Sequence, residues 1–198
     1  MTLEQGTAFF VFSVVAAVTP GPSNIMLTAA GAMAGVLRGI PCLLGVAAGM
    51  GLLVLSVAMG VGLLVLGHPA ILRACNWLGA AFLLWLAWKM AMSGSSVASA
   101  GRKPVGFLGA ALFQWINPKS WLVSSSAAGA YLQSDGDGAV LQSMAFAALF
   151  VAATLPSGFL WLAFGASMQR YLSHTRAARI FNAVMAASLA ASVGLILW

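Results

Sequence analysis

The chain has 198 residues, of which 62% are hydrophobic and only 6% are charged. A soluble domain carries about 25% charged residues, so this composition excludes an ordinary soluble domain and predicts a polytopic membrane protein. The formal net charge is +6, but the basic residues are scattered singly between apolar runs. That distribution is typical of membrane topology and argues against a nucleic-acid partner.

A membrane-spanning helix needs about 20 mainly apolar residues, and six segments of the chain meet this requirement. The predicted spans are residues 6–34, 40–66, 70–92, 104–131, 139–168 and 180–198. They are separated by residues 35–39, 67–69, the Ser- and Gly-rich linker 93–103, the acidic turn 133–138 and the basic loop 169–179. We therefore expect an all-α integral membrane protein with a single transmembrane domain over residues 1–198.

The first predicted span is interrupted by Thr19-Pro20-Gly21-Pro22-Ser23-Asn24. Two prolines around a glycine remove backbone donors and break the helical hydrogen-bond ladder, so the helix must stop and restart. At membrane depth, such a break is tolerated where it is buried in protein or lines a water-filled cavity. This pattern points to a transporter.

A second break, Asn117-Pro118-Lys119, interrupts the fourth span. Subtracting 98 from its numbering puts Pro118 on Pro20, so each half, about 1–98 and 99–198, has three spans of which the first is broken. An odd number of spans per half makes the halves an inverted repeat. Each break lies roughly 20 Å from the start of its span, at about 1.5 Å per residue. We expect both breaks to border one central cavity.

The charged residues predict the orientation in the membrane. The first, third and fifth loops hold seven of the nine basic residues, whereas the opposite face holds Arg73 with all three acids, Glu4, Asp135 and Asp137. The positive-inside rule places the linker 93–103 in the cytoplasm and both termini in the periplasm.

The residues of the first break are candidate substrate ligands: Pro20, Gly21, Pro22, Ser23 and Asn24. A helix that restarts at Pro22 presents free backbone N–H groups and the positive end of its dipole. Such an end favours an anion, for example a carboxylate or phosphate. The alternative is a plain proline kink with Ser23 as the N-cap.

The candidate ligands at the second break are Gln114, Asn117, Pro118 and Lys119. Lys119 is the only charge well inside a predicted span, and no acid in any span neutralises it, so it is a functional candidate. The alternative is a lysine that snorkels to the membrane interface. Gln114 and Asn117 share a helical face, where they either order a ligand or bridge helices.

Further predictions concern the fifth helix, catalysis and helix packing. Pro156-Ser157 is expected to open the fifth helix in the same way as the two breaks. The two histidines lie in loops, and the spans contain no paired acids, so we expect no metal, no cofactor and no enzymatic activity. Close helix packing is predicted for five glycines at four-residue spacings: Gly31, Gly35, Gly39, Gly45 and Gly49.

At these motifs the sequence resembles the lysine exporter and homoserine/threonine exporter family (LysE/RhtB), bacterial inner-membrane amino-acid efflux proteins with six spans. The break motif and the Trp77 to Lys89 run look most like the members that export cysteine, O-acetylserine and other small neutral amino acids. Matching features occur in both halves: Thr19 to Asn24, Gly35 with Arg38-Gly39, the Trp77 to Lys89 run, and Gln114-Trp115-Ile116-Asn117-Pro118-Lys119.

The resemblance implies a secondary transporter that exports small, neutral amino acids such as cysteine, O-acetylserine, homoserine or threonine, with membrane lipid around it. Self-association into a homo-oligomer is left open. Many relatives have Asp or Asn directly after Pro-Gly-Pro where this chain has Ser23, which argues against a dibasic substrate. Two other classes are also left open: a small-solute channel and a non-transporting accessory membrane subunit.

Overall fold

The structure is a computed structural model that describes residues 2–62, 67–92, 104–131, 138–169 and 175–197. Within these ranges every regular element is helical, which confirms the all-α expectation for them. Two helical runs, Pro22–Val61 and Ala139–Met168, are long and apolar enough to cross a membrane by length and composition. The helices are α1 (Leu3–Val18), α2 (Pro22–Ser56, continued by a π-helical turn, Val57–Val61), α3 (Pro69–Ala91), α4 (Phe107–Ile116), α5 (Pro118–Tyr131), α6 (Ala139–Met168) and α7 (Thr175–Leu197).

Both interruptions predicted from the prolines are present in the backbone. Helix α1 ends at Val18 and α2 begins at Pro22. Helix α4 ends at Ile116 and α5 begins at Pro118, with Asn117 in an extended conformation between them. Each restarted helix has its proline at the first helical position, where the missing N–H would have had no intrahelical partner. The prolines therefore stop one helix and start the next without removing a needed donor.

The predicted loop 35–39 is wrong in its extent. Only Gly35 leaves the helical region, with φ 79° and ψ 176°, and residues 36–39 are helical. A positive φ is disfavoured for any residue with a Cβ, so glycine suits this turn. One residue thus separates two helical segments where a five-residue loop was expected. Gly35 forms the turn, and the packing role predicted for it is not observed.

Pro156 does not open the fifth predicted helix. Helix α6 runs without interruption from Ala139 to Met168 with Pro156 inside it, and Pro41 lies inside α2 in the same way. A single proline removes one backbone hydrogen bond, and neighbouring helices can satisfy the freed carbonyl. The two helix breaks differ from these single prolines. At each break an extended residue precedes the proline that starts the next helix: Gly21 before Pro22, and Asn117 before Pro118.

The sixth predicted span begins too late in the sequence. Helix α7 begins at Thr175, whereas residue 180 was expected, and it carries Arg176 and Arg179 at exposed positions. Charged residues end an apolar window in the sequence, but they are readily accommodated on the exposed side of a first helical turn. The linker 93–103, the acids Asp135 and Asp137, and residues 170–174 of the basic loop lie outside the described residues.

Helix α2 is central to the packing. Its most extensive contacts are with α6 and then with α4, while α1 packs on α6 and α3 packs on α7. At the α2–α6 crossing, a Cβ on Gly31 would overlap the Leu162 carbonyl, and a Cβ on Gly165 would overlap the Thr28 carbonyl. The backbones therefore touch, as predicted for small residues on packed membrane helices. Similarly close contacts occur at Gly39, Gly45 and Gly49.

The apolar side chains form two main buried clusters and an apolar exterior. The larger cluster joins α2 to α3, α4, α6 and α7, and it includes the fully buried Leu27 and Leu162. The smaller cluster surrounds Phe9, whose ring stacks on Phe146 with 4.4 Å between centroids. Many large apolar side chains on the outer faces, such as Leu108 and Leu141, are exposed. Exposed apolar surface on this scale is typical of contact with a membrane.

We expect Gly165→Ala to destabilise the protein, because the added methyl group would meet the Thr28 carbonyl. Overpacking of this kind costs about 1–3 kcal/mol, which should lower the melting temperature of the detergent-purified protein. Gly129→Ala is the matched control, since Gly129 is also helical and a Cβ there would have nothing within 4 Å. Equal melting temperatures for the two variants would contradict the close α2–α6 crossing.

Candidate functional site

The side chain of Asn24 holds the first break together. Its Nδ2 donates to the carbonyl oxygens of Ala17 and Thr19, at 3.0 Å and 2.9 Å. These carbonyls lie at the end of α1, where the break has removed their helical donors. The backbone N–H groups of Asn24 and Ile25 both donate to the Gly21 carbonyl and form the first turn of α2. Asn24 is buried, so it supplies hydrogen bonds that water does not readily replace.

Asn117 caps the second break. Its Oδ1 accepts the Lys119 backbone N–H at 3.2 Å, and its carbonyl accepts the N–H groups of Ser120 and Trp121. The Trp121 indole Nε1 also reaches back across the break to the Trp115 carbonyl at 2.7 Å. Every N–H group in the first turn of α5 therefore has a partner inside the protein.

The two restarted helices differ in what they offer to a ligand. At α2, Pro22 has no N–H group, and the Ser23 N–H group has no partner among the residues that the structure describes. At α5 the corresponding groups are capped by Asn117. An open helix end was predicted at the first break, but it offers a ligand only one free backbone N–H group in the described structure, that of Ser23. The second break offers none.

A hydrogen-bond network joins the two breaks. Ser23 Oγ donates to Gln114 Oε1 at 2.9 Å, and Asn117 Nδ2 donates to Ser23 Oγ at 3.0 Å. Ser120 Oγ donates to the same Gln114 oxygen at 3.0 Å, while Gln114 Nε2 donates to the Ala110 carbonyl at 3.0 Å. Gln114 and Asn117 are almost completely buried. In this conformation their amides bridge helices, which is one of the two roles that the sequence left open.

Lys119 crosses from the second break to the first. Its Nζ donates to the Thr19 carbonyl at 2.5 Å and lies 3.5 Å from the Pro20 carbonyl oxygen. Gly21 leaves room for this side chain, because a Cβ at Gly21 would lie 2.8 Å from Lys119 Cδ. Glu4, the only acid in the described ranges, is exposed near the start of α1. The ammonium is therefore bound by carbonyl dipoles and does not snorkel freely.

A cavity of about 50 Å³ lies between the two breaks. A cavity needs a volume of about 10–15 Å³ to hold one water molecule. The volume between the breaks is therefore enough for a few waters or for part of a small solute. The breaks thus border one cavity, as expected from their positions in the sequence. Six of the nine predicted site residues line it, and Pro20, Pro22 and Pro118 do not; the six are Gly21, Ser23, Asn24, Gln114, Asn117 and Lys119.

Sequence reasoning missed part of the cavity wall. Ser120 lines it from the turn after Pro118, and α6 contributes Phe150, Thr154 and Gly158. Ser120 carried a usable signal, because it lies six residues after Gln114 and directly follows the break. The α6 residues had only Pro156 as a marker, and Phe150 is indistinguishable in sequence from a core residue. Apolar lining residues complete the wall: Ala16, Ala17, Leu27, Val46, Met50 and Val123.

The composition of the cavity suits the binding of a small polar solute. Its described lining has hydroxyl, amide and apolar groups and a single ionisable side chain, Lys119. No group of three metal-ligating side chains occurs in the described parts of the chain. A site of this kind can hold a small polar solute through hydrogen bonds and one positive charge.

A family model described as LysE type translocator matches residues 14–197. The chain belongs to this family. The match confirms the resemblance to LysE/RhtB proteins, and with it the expectation of an integral membrane protein. The family's description as translocators agrees with the expectation of transport as opposed to enzymatic activity.

Curated relatives agree with the family. The chain is 35% identical over 119 residues to a cysteine/O-acetylserine efflux protein of Salmonella typhimurium strain LT2. It is 30% identical over 119 residues to a cysteine/O-acetylserine efflux protein of Escherichia coli strain K12. Each alignment covers 60% of this chain and 61% of the relative, which is less than two thirds of the relative's length. No solved structure matches the chain.

Two serines one turn apart on α5 test the network. Ser120 donates to Gln114, whereas the buried Ser124 Oγ has no partner in the described structure. Ser120→Ala should therefore lower the free energy of unfolding by about 0.5–1.5 kcal/mol, while Ser124→Ala should leave it unchanged or raise it. Thermal denaturation of the detergent-purified variants measures this difference. A larger loss for Ser124→Ala would contradict the network.

Proposed function

We propose that this protein is a secondary transporter that exports small neutral amino acids or their derivatives across the bacterial inner membrane. The cavity between the two interrupted helices is the observation that carries this proposal. Transporters commonly bind small solutes at discontinuous helices near the middle of the membrane. Relatives named as cysteine/O-acetylserine efflux proteins support cysteine and O-acetylserine as candidate substrates. The resemblance to the exporter family adds homoserine and threonine.

Charge supports a neutral substrate. Lys119 contributes a cation, and the described cavity lining has no Asp or Glu to neutralise a second one. A dibasic amino acid such as lysine would bring another ammonium to a site where repulsion is weakly screened. A zwitterion carries a carboxylate that compensates for its ammonium. The small cavity volume favours the smallest amino acids.

We also propose six spans arranged as two inverted repeats. Adding 98 to α1, Leu3–Val18, gives 101–116, which overlaps α4, and adding 98 to residues 36–61 gives 134–159, which overlaps α6. The α1–α6 contact then corresponds to the α4–α2 contact, and both are extensive. Gly21 and Lys119, which are also 98 apart, pack directly against each other. These correspondences are what a two-fold relation between the halves requires.

Both termini are proposed to be periplasmic, with lipid against the exposed apolar faces. Arg38, Arg176 and Arg179 are exposed and belong to the proposed cytoplasmic side. Arg73, also exposed, belongs to the opposite side. Self-association into a homo-oligomer stays a prediction.

Cysteine labelling tests the orientation. In a variant without Cys42 and Cys75, Thr2→Cys should react with a membrane-impermeant maleimide in intact cells, because residue 2 is proposed to face the periplasm. Ser95→Cys, in the proposed cytoplasmic linker, should react only after permeabilisation. The reverse pattern would show the opposite orientation.

Counterflow in liposomes tests the function. Purified protein should give saturable exchange of labelled cysteine, O-acetylserine, homoserine or threonine, at a rate at least about tenfold above lysine, because the site lacks a partner for a second cation. Flux that does not saturate would favour a channel. No exchange by correctly inserted protein, together with stable co-purification of a larger complex, would favour the accessory-subunit alternative.

A matched pair on α1 tests whether the cavity is the transport site. Ala16 lines the cavity, whereas Ala8, two turns earlier, is exposed on the outer surface. Ala16→Phe should reduce counterflow at least about tenfold by filling the cavity, and Ala8→Phe should leave it near the wild-type rate. Unimpaired counterflow by a folded Ala16→Phe protein would place the site elsewhere.

A further inference from the structure

The side-chain amides at the cavity have little capacity left for a ligand. Gln114 Oε1 already accepts two hydroxyl groups, and Asn117 Oδ1 accepts the Lys119 N–H. The Asn24 amide nitrogen donates to two carbonyls. A substrate ammonium therefore finds few side-chain acceptors here, and the Asn24 amide oxygen and the backbone carbonyls of the first break are the ones left to it.

Backbone carbonyls of the first break provide such acceptors. In an unbroken helix, the Thr19 carbonyl would accept the Ser23 N–H and the Pro20 carbonyl would accept the Asn24 N–H. Here the Asn24 N–H donates to Gly21 instead. Carbonyl oxygens released at a helix end carry partial negative charge and favour a cation. The break thus creates an ammonium-binding position beside the cavity.

The protein's own lysine occupies that position. Lys119 Nζ lies 2.5 Å from the Thr19 carbonyl oxygen and 3.5 Å from the Pro20 carbonyl oxygen. The space for it depends on Gly21, since a Cβ there would lie 3.1 Å from Nζ. An alkyl-ammonium group is chemically equivalent to the α-ammonium of an amino acid. Lys119 therefore satisfies the same carbonyls that a substrate amine would use.

We propose that Lys119 is an internal stand-in for the substrate ammonium, and that an amino acid binds by displacing it. The substrate ammonium takes the Thr19 and Pro20 carbonyls, and the released Lys119 ammonium pairs with the substrate carboxylate. The inference rests on the proposed function and assigns its specificity. No bond other than hydrogen bonds and ion pairs changes, and the site gains no net charge when it takes up a zwitterion.

The displacement requires both charged groups of the substrate. An amine without a carboxylate would leave Lys119 as an unpaired cation, because the described cavity lining contains no acid. A carboxylate without an amine would draw Lys119 away, so that the Pro20 carbonyl would lose its donor and the Thr19 carbonyl would keep only the Asn24 amide. Leaving a desolvated polar group without a partner is unfavourable. Only a zwitterion satisfies the carbonyls and the lysine together.

The test compares cysteine with two analogues, cysteamine, which lacks the carboxylate, and 3-mercaptopropionate, which lacks the amine. Each is titrated into purified protein, and the dissociation constant is measured by calorimetry. In the wild type, each analogue should bind at least about tenfold more weakly than cysteine. In Lys119→Met, cysteamine should bind at least about tenfold more tightly than in the wild type, and cysteine should lose its advantage over cysteamine. Lys119→Arg, which keeps the charge, should retain the preference for cysteine.

A second variant keeps the test valid if Lys119→Met does not fold. Gly21 has an extended backbone with φ −175°, which alanine adopts readily, but its Cβ would displace Lys119. Gly21→Ala should therefore strengthen cysteamine binding while cysteine binding persists. An unchanged ratio of cysteine to cysteamine binding in Lys119→Met and Gly21→Ala would overturn the displacement alone. Wild-type protein that neither binds the three probes nor exchanges amino acids would overturn the proposed function as well.

Discussion

The whole structure depends on one requirement: the backbone polar groups of two helices that stop inside the protein must still be hydrogen-bonded. Asn24 and Lys119 bind the carbonyls at the end of α1, and Trp121 binds a carbonyl at the end of α4. Lys119 belongs to the second break but donates to a carbonyl of the first. The hydrogen bonding of the first break therefore fixes the distance between the two breaks. The interruptions weaken each helix locally and join the two halves at the same point.

Close helix packing determines which other residues line the cavity between the breaks. Glycines at the α2–α6 crossing bring the two backbones into contact, so that α6 contributes Thr154 and Gly158 to the cavity wall. Bulkier residues at the crossing would separate the helices and open the wall between α2 and α6. The small cavity therefore depends on small residues outside the two breaks as well as on the breaks themselves. The polar lining of the cavity comes mainly from the two breaks, whereas its apolar lining comes from the helices packed around them.

The helix breaks were predictable because their causes are local. Pro22 and Pro118 act on the residues next to them, whatever the fold. The turn at Gly35 was overestimated because charge at Arg38 suggested a loop, although an exposed helical position suits an arginine equally well. The pairing of Lys119 with the Thr19 carbonyl was not predictable, since it joins residues 100 apart and depends on how the two halves pack. Likewise, nothing local distinguishes Phe150 at the cavity from a phenylalanine in the core.

The unequal pair of Gly21 and Lys119 explains how two related halves could bind an unsymmetrical solute. Under the proposed repeat, these residues are equivalent, and they pack against each other. Two lysines there would collide and repel each other, and two glycines would leave the Pro20 carbonyl without the ammonium and the Thr19 carbonyl with the Asn24 amide alone. One glycine and one lysine fill the space and satisfy the carbonyls, since the lysine lies where a Cβ of Gly21 would be. The result is a centre with carbonyl acceptors on one side and a cation on the other, an arrangement complementary to an ammonium and a carboxylate on the same small molecule.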